Sequence, residues 1–227
     1  MINIYNRDNL EAMREMETGH YDLAIVDPPY GITKGMSAGK RGLEGIPGKN
    51  KRKEIYDLGD ADWNIAPGDD YFQELLRVSK NQIVWGGNYF PQLWSQPSRG
   101  YIVWDKRQIS KLHADCEMAW TSFDRNAKIF KYRWCGNKVE GGNASQIDRF
   151  HPTQKPISLY SWILRNYSKP GQRILDTHLG SGAIAIAAND FGVFLDGYEI
   201  NKTYYTKALE RLDRHRAQYT LFDLTGR

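Results

Sequence analysis

Arg173-Ile-Leu-Asp176-Thr-His-Leu-Gly180-Ser-Gly182-Ala-Ile-Ala-Ile-Ala-Ala-Asn-Asp190 holds three kinds of segment in succession. Arg173–Leu175 is a β-type run that ends at an acid, Asp176. A turn with two glycines follows, and then a small-residue stretch places Ile184, Ala187, Ala188 and Phe191 on one helical face. Strand, glycine turn and helix in that order form the half-unit of a parallel α/β sheet. Gly180 and Gly182 let the backbone approach a ligand closely, with a helix N-terminus behind it. Glu199 follows the next apolar run, Val193–Tyr198, where an acid can accept hydrogen bonds from ribose hydroxyls. The third glycine of a dinucleotide fingerprint is missing, which disfavours nicotinamide binding. A ligand cradle and a bare tight turn both remain open from this stretch alone.

Outward from it, further strand signals are Ile2–Tyr5, Asp22–Val26, Gln82–Trp85, Tyr101–Trp104 and Glu117–Thr121. Several are continuous apolar runs such as Leu23-Ala-Ile-Val26, expected where both sheet faces are covered. Helical spacing recurs between them: Leu10, Met13 and Met16; Phe72, Leu75, Leu76 and Ser79 after Pro67; Ile157, Tyr160, Ile163, Leu164 and Tyr167; and Tyr204, Tyr205, Ala208, Leu209 and Leu212. The pattern predicts one doubly wound α/β domain over residues 1–227. Residues 31–62 and 122–150 read as excursions, rich in Gly, Lys, Arg and Asn and poor in periodic apolar positions.

The 227 residues suffice for a sizeable core, and no apolar run approaches the roughly 20 residues of a membrane helix. The opening Met1–Arg7 lacks the features of a secretory signal, and Cys116 and Cys135 are too far apart for a CxxC pair, so reduced thiols and a cytoplasmic setting are expected. The five histidines show no ligand spacing, and no metal is expected. A net charge of +4 leans weakly towards anionic partners, but distribution tells more. Between Lys34 and Lys53 seven basic residues, among them Lys49, Lys51, Arg52 and Lys53, face one acid, Glu44. A solvated loop and an arm that orders on phosphate both fit this stretch.

Asp22-Leu-Ala-Ile-Val26 runs into Asp27-Pro28-Pro29-Tyr30. The prolines stiffen the strand exit and remove two backbone donors. A carboxylate and a main-chain carbonyl are thereby presented together at the carboxyl end of a strand, the edge where open α/β sheets bind ligands. Two acceptors and the flat Tyr30 ring suit an amino group on an aromatic ring. A plain strand exit is the alternative for the tetrapeptide alone.

With these motifs assembled, the chain resembles the amino-methyltransferases of DNA, in the permuted (β-type) subgroup where Asp-Pro-Pro-Tyr precedes the cofactor glycine loop. Asp27–Tyr30 matches the catalytic motif, and Asp176-Thr-His-Leu-Gly180-Ser-Gly182 is similar to the Asp-Pro-Phe-x-Gly-Ser-Gly cofactor loop, departing at Thr177, His178 and Leu179. His151-Pro-Thr-Gln-Lys155-Pro156 resembles the segment lying against the cofactor, and Asn6-Arg7-Asp8-Asn9-Leu10 the family's first strand exit. Relatives acting on RNA guanine or glutamine side chains carry Asn-Pro-Pro-Tyr after the glycine loop; here Asp stands there, before it.

The resemblance implies a circularly permuted, Rossmann-like class I fold with a mostly parallel seven-stranded sheet and an antiparallel hairpin at one edge. It implies S-adenosylmethionine as cofactor, held by Asp8, Asn9, Asp27, His151, Thr153, Lys155, Asp176, His178, Gly180, Ser181, Gly182, Glu199 and Asn201. His151, Thr153 and Lys155 would lie near the cofactor carboxylate and Asp8 near the adenine, with a helix N-cap the alternative for Asp8. Asp27, Pro28, Pro29 and Tyr30 would act on the N6 amino group of an adenine flipped from double-stranded DNA, in a restriction-modification or phage setting. Cytosine N4 is the nearer alternative; a decayed, DNA-binding relative is the other. The basic loop 31–62 and a recognition segment in 122–150 would meet DNA through Lys49, Lys51, Arg52, Lys53, Arg125, Lys128 and Arg133. A homodimer is compatible with the subgroup.

Overall fold

The computed structural model describes residues 1–32, 64–96, 98–108, 114–135, 138–139, 142–143, 150–151 and 153–225. Lys49, Lys51, Arg52 and Lys53 lie outside them, with most of the 31–62 loop. In chain order the elements are β1 (Ile2–Tyr5), α1 (Asn9–Arg14), β2 (Leu23–Val26), α2 (Asp69–Val78), β3 (Gln82–Trp85), a 3-10 turn (Gly87–Tyr89) and α3 (Pro91–Trp94). There follow β4 (Tyr101–Asp105), β5 (Cys116–Thr121), β6 (Lys128–Lys131) and the two-residue strands β7 (Trp134–Cys135), β8 (Lys138–Val139) and β9 (Gly142–Asn143). The chain then runs through α4 (Ile157–Tyr167), β10 (Arg173–Asp176), α5 (Ala183–Phe191), β11 (Phe194–Tyr198) and α6 (Lys202–Thr225).

The main sheet has the order β1-β11-β10-β2-β3-β5-β4-β6, and among the described residues β5 is its one antiparallel member. The seven expected strands are present, with the antiparallel β4–β5 pair, and β1 lies beside β11. An eighth, β6, pairs with β4. This corrects the reading of 122–150 as an excursion, since Lys128–Lys131 is sheet. Its Lys-Ile-Phe-Lys sequence, mostly exposed, has the charged ends with which edge strands resist further pairing.

Period-two alternation fills both faces of the central strands. Leu23 and Ile25 join Ile163, Leu164 and the alanines of α5 in one cluster. Ala24 and Val26 join Met13, Phe72 and Leu75 of α1 and α2 in the other. The alanine-rich α5 packs under α6, where a Cβ on Gly182 would stand 3.0 Å from that of Ala208. Among the described residues no helix is long and apolar enough to cross a membrane.

Candidate active site

β2 and β10 are adjacent and parallel, with Ile174 opposite Leu23 and Leu175 opposite Ala24. Their carboxyl ends are therefore separated by about one strand spacing, roughly 4.8 Å. Asp27–Tyr30 leaves one end and 177–182 the other, so both motifs reach the same edge of the sheet. The Tyr30 hydroxyl donates to Asp27 Oδ1 at 2.8 Å. Its ring stacks on Tyr89, with centroids 5.1 Å apart. Gly86 (φ +68°) makes room for this ring, because a Cβ there would lie 2.3 Å from it. Burial and the Asp27 charge hold the Tyr30 phenol well above its ordinary pKa.

The glycine loop is fixed from several sides. Gly180 (φ +52°) and Gly182 (φ +69°) adopt left-handed backbone that favours glycine. Glu199 accepts the Gly180 N–H at 2.9 Å on one oxygen and the Asn201 N–H at 2.8 Å on the other. Burial raises the Glu199 pKa against the pull of those two donors. Asn9 donates to the Thr177 carbonyl at 3.0 Å, and Tyr71 shares a 2.6 Å hydrogen bond with the Thr177 hydroxyl. Leu179 fits because β11 presents Gly197 beneath it: a Cβ there would stand 2.9 Å from the Leu179 side chain.

Asp176 is buried and accepts the His178 N–H at 3.0 Å. Burial pushes its carboxyl up to about 8; the Asp27 and Glu199 charges add to this, while the His178 N–H and Lys155 oppose it. His151 and His178 are each pushed down to about 4 by burial, His151 with help from Lys155 and His178 against the Asp8 charge. The His151 ring lies over the glycine loop, 3.2 Å from where a Gly180 Cβ would be, and edge-on to Tyr204. Thr153 stands 3.3 Å from the other His151 nitrogen.

Several expected residues have a structural partner of their own. Asp8 caps α1 by accepting the Glu11 N–H, and Asn201 accepts the N–H groups of Thr203 and Tyr204 at the start of α6. The Ser181 carbonyl accepts from Arg211. Lys155 donates to Asp27 Oδ2 and stands 3.3 Å from Glu117. Arg125, expected at DNA, donates instead to the Asn166 carbonyl at 2.8 Å and lies over the Tyr167 ring. That places it beyond α4, at the end of the sheet where β10 begins, away from Asp27. Lys128 is on β6, four strands from β2, or about 19 Å across the sheet. Arg133 is exposed just past β6. Sequence reading missed Tyr71, Tyr89, Lys106 and Glu117. For Glu117 the available signal was an acid inside an otherwise apolar strand run.

Comparison with known proteins gives consistent results. The profile of the DNA methylase family matches residues 87–210. Type II methyltransferase M.HpaI of Haemophilus parainfluenzae is 26% identical, over 90% of this chain and 72% of its own. The crystal structure of an M1.HpyAVI–SAM complex superposes with a TM-score of 0.55 at 21% identity, covering 93% of this chain and all of that one. The PvuII DNA methyltransferase, described as cytosine-N4-specific, superposes at 0.57 with 13% identity, covering 92% of this chain and 85% of that one.

Proposed function

The chain belongs to the DNA methylase family, and from that premise we propose that it methylates the N6 amino group of an adenine flipped out of double-stranded DNA, with S-adenosylmethionine as donor. The observation that carries this reading is the convergence of the Asp27–Tyr30 and 177–182 loops at adjacent strand ends. The residues fit the cofactor. Each Glu199 oxygen keeps acceptor capacity beyond its one backbone N–H, as ribose hydroxyls require. Gly180 presents bare backbone beside it. When bound, S-adenosylmethionine supplies an electrophilic methyl on a sulfonium, and the S–C electron pair stays with sulfur as the C–N bond forms. Asp27 Oδ1 accepts one amino hydrogen and the Pro28 carbonyl the other, turning the nitrogen lone pair towards the methyl. The methylated nitrogen then loses the proton it shares with Asp27 Oδ1, which passes through that carboxylate to solvent. Tyr30 stacks on the base and recovers roughly 1–3 kcal/mol of the unstacking cost. Most of the acceleration comes from positioning.

Asp at position 27, where Ser is more usual for cytosine, favours adenine; the fold shared with a cytosine-N4 enzyme keeps that base as the second reading. The Type II methyltransferase M.HpaI supports a restriction-modification setting. The test is nucleoside mass spectrometry of DNA incubated with the protein and S-adenosylmethionine. N6-methyladenine is expected. N4-methylcytosine would overturn the base assignment, and unmodified DNA the reaction itself.

A further inference from the structure

The charges gathered around Asp27 extend beyond what the transfer step uses. Lys155 Nζ lies between Asp27 Oδ2 and Glu117 Oε2, with the Trp85 ring 5.3 Å from the ammonium. Glu117 Oε1 is 2.5 Å from Lys106, which in turn lies over the Trp104 ring. Lys106, Glu117, Lys155 and Asp27 thus form a chain of alternating sign along the ligand edge of the sheet. The Lys155 side chain is only 3% exposed. Burial works against its charge, yet Asp27 and Glu117 outweigh that and hold its pKa above the ordinary value. Burial likewise opposes the Glu117 charge, and Lys155 and Lys106 together hold that carboxyl down.

An ionic network built around a buried lysine contributes little to stability that apolar packing would not, so its presence calls for another role. We propose that Glu117 and Lys106 are positioning residues that act through Lys155 to hold Asp27 with a single oxygen, Oδ1, turned to the substrate. This rests on the assignment of Asp27 to the amino group. Oδ2 is committed to Lys155, while Oδ1 carries the Tyr30 hydroxyl, a neutral donor that an amino group can replace. A carboxylate fixed at one oxygen cannot rotate, and the orientation of the amino lone pair follows from it. Glu117 keeps Lys155 in place from the far side and balances its charge, so that Lys155 does not draw density from Oδ1.

The test measures single-turnover methylation at saturating DNA and S-adenosylmethionine, with cofactor affinity read separately by calorimetry. Wild-type activity is the control: its absence would defeat the functional reading, not this one. With wild type active, Glu117→Gln is expected to slow the methyl-transfer step by roughly 10- to 100-fold with cofactor affinity unchanged. Lys106→Met, at the outer end of the network, should give a smaller loss of the same kind. In a Lys155→Met background Glu117→Gln should cost nothing further, whereas independent roles would multiply. An unchanged rate in both single variants would overturn the proposal. So would a Lys155→Met variant that loses cofactor affinity and keeps its rate, since Lys155 would then serve the cofactor.

Discussion

Asp176 lies buried at the end of β10 with its carboxyl held up to about 8. In the unfolded chain an aspartate titrates near about 3.9. Between those values the folded protein binds one proton more than the unfolded chain, so stability from this group is full below about 3.9 and is lost as pH rises through 8. Asp176→Asn removes the titration while keeping an acceptor for the His178 N–H. The stability gain of this variant over wild type should therefore grow from pH 5 to pH 8 and level off above. It should amount to several kcal/mol, since each tenfold difference in acidity between folded and unfolded chain is worth about 1.4 kcal/mol. His178, held at about 4, has the opposite slope, but both proteins carry it and it cancels. Thermal melts across pH check this; a difference that stayed flat would mean that Asp176 is ionised as usual. Asp27, Tyr30, Gly180 and Glu199 were readable from sequence because each closes a strand or turn with its own local signature. Glu117 and Lys106 were not, since Glu117 matters through its contacts with Lys155 and Lys106, and no spacing rule links the three.

The same division holds for strands and helices. β2 announces itself by a continuous apolar run, β10 by a short β-type run that ends at an acid before the glycine turn, and α5 by small residues after paired glycines. β6 does not, because an edge strand buries little and its lysines mask the alternation. Its presence changes the standing of β4, which becomes an interior strand. Trp104 on β4 is 2% exposed, packs edge-on against Trp85 and donates to the Tyr132 carbonyl at 3.0 Å. Trp104→Ala should accordingly cost about 3–5 kcal/mol. Lys128→Ala, on the exposed side of β6, should stay within about 0.5 kcal/mol. Denaturant titration of the two variants decides; equal losses would mean that Trp104 is not packed in the interior.

The connectivity explains how motifs far apart in the chain form one site. The chain crosses the sheet so that β2, early in sequence, lies against β10, which arrives after α4, with β11 and β1 completing that side. Asp27 and Lys155, 128 positions apart, become an ion pair, and Asn9 comes to hold Thr177. The order of the motifs was visible in sequence; their meeting was legible only through the resemblance, since spacing alone does not fix strand order. The loop at 31–62 and its lysines belong to the sequence argument for DNA contact alone. The most direct measurement compares Asp27→Ala with wild type for methyl transfer to DNA from radiolabelled S-adenosylmethionine, with cofactor affinity determined on the same preparations. Transfer should vanish in the variant while affinity is retained; transfer at the wild-type rate would contradict the account.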